Sequence, residues 1–186
     1  MSHRARGRQL APHLVGWAIF GLACAQPIRP VCVDPSLPVY TFEIECLDLL
    51  HKGRFQEAKA KCLEQLELVP TTHAYLYLGQ IAALEGHHAD AVHYSHASIA
   101  LNAEQVEAHN ILGVVYHEQG DLDRAAEHAE IAAEIDPYSW IYQRNLGFIY
   151  LARSELDLAR ERFQKCLLID PEAQDCEEGL AVARET

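Results

Sequence analysis

One spacing constrains this chain more than any other feature. Leu78-Gly79, Leu112-Gly113 and Leu146-Gly147 recur every 34 residues. Ala91, Ala125 and Ala159 keep the interval, as do Pro137 and Pro171, and Gly86 and Gly120, with Ser154 next in line. A fainter copy lies upstream in Gly53, Ala58 and Pro70, one residue out of register. Self-similarity at such a period signals an array of small supersecondary units. None can bury its apolar face alone, so stacking has to complete the core.

The residues within each copy say what the unit is. The third copy reads His109-x2-Leu112-Gly113-x2-Tyr116. The fourth reads Gln143-x2-Leu146-Gly147-x2-Tyr150, then Ala159-x3-Phe163, then Pro171. The second reads Tyr75-x2-Leu78-Gly79-x2-Ala82. This resembles the tetratricopeptide repeat (TPR) family, whose pattern is W-x2-L-G-x2-Y, then A-x3-F, then P. The opening Trp is missing throughout, and Ala103 stands where the second copy should carry Pro. The resemblance covers residues 39–173 and implies an all-α, right-handed superhelical solenoid of helix-turn-helix repeats.

The pattern has a physical cause. Gly and Ala at the eighth and twentieth positions let two helix axes approach closely, while Tyr116, Tyr150 and Phe163 fill the gaps between pairs. The mid-repeat Gly suits a left-handed turn. Asp136-Pro137 and Asp170-Pro171 precede new helices. Repeats are expected at 39–71, 72–105, 106–139 and 140–173, with a capping helix at 174–186. Pro27, Pro30, Pro35 and Pro38 make 26–38 read as an extended leader.

Residues 1–25 read as an export signal. Arg4, Arg6 and Arg8 form a basic start without an acid, and Leu14 to Ala25 is apolar but short for a bilayer span. Ala23-Cys24-Ala25 suits cleavage before Gln26. Lipidation at Cys24 is the variant reading and the one route to a membrane. The expected location is the periplasm or cell envelope of a bacterium. The signal together with the repeats resembles exported TPR proteins that help assemble envelope machines, including lipoproteins supporting type IV pilus secretins.

Composition then narrows function. The formal charge is -12, with 15 basic and 27 acidic residues, which argues against nucleic acid, since phosphate binding needs a basic face. No nucleophile elbow, phosphate loop, metalloprotease helix or dinucleotide turn is present, so no enzyme activity and no cofactor are expected.

Three groups of side chains remain as site candidates. The first helix of each repeat lines the concave face of a TPR stack. There Asn110, Val114, His117, Arg144, Phe148 and Leu151 are expected to hold a protein or peptide partner. The apolar residues would supply contact, and Arg144 and Asn110 would orient the partner's backbone or an acidic side chain. Packing on neighbouring helices is the competing role for these side chains. The second group is His87-His88-x4-His93-x2-His96, where Asp90, His93 and His96 share a helical face. They would suit zinc, copper or nickel, so a histidine-based metal-binding or pH-responsive protein is the alternative reading. The third is cysteine. Cys166 and Cys176 are expected to bridge the last repeat to the cap, and any two of Cys32, Cys46 and Cys62 could pair.

Overall fold

The computed structural model describes residues 38–185. The expected signal segment 1–25 and nearly all of the leader lie outside the described residues.

The chain is helical throughout the described residues, with no strand. The helices are α1 (Pro38–His51), α2 (Phe55–Leu68), α3 (Thr72–Leu84), α4 (His88–Leu101) and α5 (Val106–Glu118). They continue as α6 (Leu122–Ile135), α7 (Trp140–Ala152), α8 (Leu156–Ile169) and α9 (Gln174–Glu185). Packing is closest within α1–α2, α3–α4, α5–α6 and α7–α8, and each pair stacks on the next. The helix α9 lies on α8 and α7. Pro38 departs from the expectation: it opens α1 rather than ending the leader. A proline fits a first helical turn, where its missing N–H has no partner to lose.

Local chemistry repeats with the fold. Within each pair the turn passes through a left-handed residue: Gly53, Gly86 and Gly120 have φ of 70°, 74° and 78°, and Ser154 takes the same place at 63°. Between pairs, an Asx turn recurs at the repeat interval. Asn102, Asp136 and Asp170 accept from the backbone N–H two residues on, at 3.1, 3.2 and 3.0 Å. The turn therefore survives at Asn102 although the following proline is absent, because the side-chain oxygen supplies the local bond.

The largest core cluster runs from α5 to α9 and includes Leu112, Ala125, Leu146, Ile149, Phe163 and Leu180. Its floor is set by glycine. A Cβ on Gly147 would stand 2.7 Å from the Phe163 ring, so that helix pair closes only without a side chain there. Two smaller clusters extend the core through the first repeats.

Candidate partner-binding groove

The first helices of the pairs, α1, α3, α5 and α7, carry the residues expected to form a groove. The structure divides them. Val114 is 4% exposed and packs among Leu76, Ala83 and Val115, so it has almost no surface to offer a partner. Asn110 is 1% exposed, and its Oδ1 accepts from Asn145 Nδ2 at 2.7 Å. Arg144 is 3% exposed, and its Nη1 donates to Asp175 of α9 at 2.8 Å. Its guanidinium also lies 5.1 Å from the centre of the Trp140 ring. Burial lowers the Arg144 pKa, against the opposing pull of Asp175.

These three positions correct the expected roles. Arg144 is not a free cation waiting for an acidic ligand: the cap supplies its anion. Asn110 and Val114 lie in the stack between repeats rather than on its open face. The physical reason is that helix position fixes the helix and the side, but not how deeply a side chain is covered by the next pair. Asp175 and Asn145 complete the network, and the repeat pattern did not single them out.

His117, Phe148 and Leu151 stay partly exposed. Phe148 rests edge-on against Phe163, with ring centres 5.0 Å apart, and Leu151 packs on the same core. Burial lowers the His117 pKa, favouring the neutral ring.

Toward the first repeats the lining turns acidic. Glu43 Oε1 lies 3.7 Å from His73 Nδ1 and accepts from Gln65 Nε2 at 3.1 Å. Burial raises the Glu43 pKa, but hydrogen bonds from His73, Thr71 and Gln65 outweigh it and the net shift is downward. The Glu43 bond raises the His73 pKa, against the effect of burial. Burial, then Glu43 and Glu107, pushes the Tyr77 phenol up to about 12. Two carboxylates therefore bear on one partly covered tyrosine.

The expected metal trio does not assemble. Asp90 and His93 are exposed on α4, and His93 meets only the edge of Tyr94, 5.3 Å between ring centres. His96 turns instead toward α5, with Nε2 3.3 Å from the Tyr116 hydroxyl. Among the described residues, no group of three His, Cys, Asp or Glu is arranged to hold a metal ion. A different histidine cluster forms: His96 of α4, His109 of α5 and His128 of α6, with Nδ1 of His109 and His128 3.1 Å apart. The signal for it was visible, since His109 occupies the repeat's opening Trp position.

Two disulfides are present among the described residues, and Cys32 lies outside them. Cys166 joins Cys176 across α8 and α9, with Cα atoms 6.3 Å apart. Cys46 joins Cys62 across α1 and α2, at 5.7 Å. Both separations suit a bridge.

Comparison with known proteins agrees with the helical-repeat fold. Residues 78–139 match the tetratricopeptide repeat family. A chloroplastic tetratricopeptide repeat domain-containing protein of Arabidopsis thaliana, PYG7, is 35% identical over 65 residues, which is 35% of this chain and 22% of that protein. The match thus spans under a quarter of that relative. Among solved structures, Pseudomonas aeruginosa pilF superposes with a TM-score of 0.70 at 19% identity, covering 79% of this chain and 72% of that one. YrrB, described as a TPR protein with an unusual peptide-binding site, gives 0.66 at 20% identity, covering 80% and 75%. At these identities the likeness is one of fold.

Proposed function

Because the chain is a tetratricopeptide repeat protein, we propose that it is a noncatalytic scaffold of the bacterial envelope that holds a partner segment along its concave face. Tetratricopeptide repeats bind proteins and peptides, so the general role follows from the fold. The finer reading rests on one observation: the first helices present partly exposed Phe148, Leu151 and His117, with Glu43 on α1 and Glu107 on α5, while Arg144 is already neutralised by Asp175. Such a surface favours an extended segment or amphipathic helix whose apolar side chains sit on Phe148 and whose lysines or arginines approach the carboxylates. Arg144, expected to orient a partner's backbone or acidic side chain, is instead held by Asp175, so in this reading the charge that the face offers a partner is negative.

Export is the second component. Two disulfides bracket the stack, and such bridges persist in oxidising compartments. The basic start, short apolar run and Ala23-Cys24-Ala25 point the same way. The partner would be an envelope assembly component. Mass spectrometry of envelope protein should find Gln26 as the first residue, or a lipid on Cys24; an intact Met1 terminus on the envelope protein would refute export.

The binding test compares two fluorescent amphipathic peptides of equal hydrophobicity, one bearing lysines and one glutamates. The lysine peptide should bind, and Phe148→Ala should weaken it by about 2 kcal/mol or more. Asp90→Ala with His93→Ala, on the second helix of its pair, should leave binding unchanged. Preference for the glutamate peptide would overturn the proposed chemistry.

A further inference from the structure

The histidine cluster joins three helices through bonds that need a neutral His109 ring. His109 Nε2 lies 3.2 Å from the Ala103 carbonyl, in the connection between α4 and α5. A carbonyl only accepts, so Nε2 carries the His109 proton and Nδ1 carries the lone pair. Nδ1 of His128, 3.1 Å away, must then donate to it. The chain of bonds therefore runs from His128 through His109 to Ala103. His128 also stacks on Tyr116, ring centres 5.7 Å apart, and meets His96 of α4 at 5.8 Å. His96 closes the ring of contacts through the Tyr116 hydroxyl.

We propose that His109 and His128, backed by His96, form a pH-sensitive latch on the seam between the second and third repeats. Neutral, it ties α4, α5 and α6 together. A first proton enters at His128 Nε2 and leaves the N–H···N bond in place; a second, which can enter His109 only at Nδ1, turns that bond into two opposed N–H groups. The surroundings offer little compensation. From α4 the facing titratable group is His96; from α5 they are His109 and Tyr116; from α6 they are Arg124 and Glu127. Arg124, whose Nε donates to Asp121 at 2.6 Å, lies 4.4 Å over the Tyr116 ring beside the cluster, and Glu127 is the anion that opposes its effect on His128.

Titration follows the geometry. Burial, then the neighbouring His109, lowers His128 to about 4, and burial lowers His109 as well. For a histidine depressed below its unfolded value, the stabilisation is whole above about 6.5 and is lost as pH falls from there toward about 4. The first seam responds with the opposite sign. His73 is raised by Glu43, so its contribution is present below about 6.5 and fades as pH rises through the folded value. Mild acid should therefore loosen the middle of the stack while tightening α1 against α3. Neither disulfide crosses the middle seam, so neither restrains it. Any effect on a bound partner rests on the proposed groove; the latch itself does not.

Hydrogen exchange on the whole chain, corrected for the intrinsic rate, tests the latch without a partner. Moving from about pH 7.5 to about pH 5 should speed exchange in α4–α6 by about tenfold, with no such rise in α8–α9. His128→Gln keeps an N–H donor for His109 but cannot titrate, and should abolish most of that response. Imidazole nitrogen resonances of the unaltered chain give a readout that survives a misfolded variant. At about pH 7.5 they should report the Nε2–H form of His109 and the Nδ1–H form of His128. A uniform exchange change along the chain, a full response in His128→Gln, or the opposite tautomers would overturn the latch.

Discussion

Ser154 shows how single residues bear the cost of the repeat. It holds a left-handed turn at φ 63°, where the three earlier repeats use glycine. A side chain there costs about 1 kcal/mol, so Ser154→Gly should raise stability by up to about that amount in urea unfolding. A loss of stability would mean that the serine side chain makes a compensating contact. Residue roles were only partly legible in the sequence. Gly147, Ala159 and Phe163 announced a close helix pair, because small and large residues at fixed offsets encode contact directly. Val114, Asn110 and Arg144 were harder. Their positions named the correct helices, yet burial depends on the neighbouring pair, which no local pattern describes. His109 was legible as a departure from the Trp position but not as a partner of His128, since that pairing depends on how α5 meets α6.

At the scale of elements, the cap α9 is bound by three unlike devices. Arg144 reaches Asp175, Cys166 bridges to Cys176, and Gly179 lets the Phe163 ring approach its backbone. Arg144→Ala removes a buried charge-assisted bond and should cost roughly 2 kcal/mol, read as faster exchange in α9. If exchange in α9 stays unchanged, the ion pair does not hold the cap. Deleting residues 174–186 should go further, exposing the flank of α8 and causing aggregation or a lower unfolding midpoint. Unchanged solubility and midpoint would show that the repeats end without a cap. The helices themselves were legible because amphipathic pairs repeat. The ion pair was not, because Asp175 lies beyond the last repeat and no periodicity predicts it.

Across the whole molecule, stacked pairs share one continuous surface, and both ends are stapled while the middle is not. That arrangement gives a stable frame with a face formed by α1, α3, α5 and α7. The -12 charge is consistent with a partner that brings cations rather than phosphate. The solenoid was legible from the 34-residue period alone; the pairing of Arg144 was not, because its anion, Asp175, comes from the cap. The most direct measurement of the central claim is hydrogen exchange of the chain with and without the lysine-bearing amphipathic peptide. Protection should fall on α1, α3, α5 and α7 and vanish with Phe148→Ala. Protection confined to α2, α4, α6 and α8, or undiminished by that substitution, would place the binding surface elsewhere and reduce the groove to internal packing.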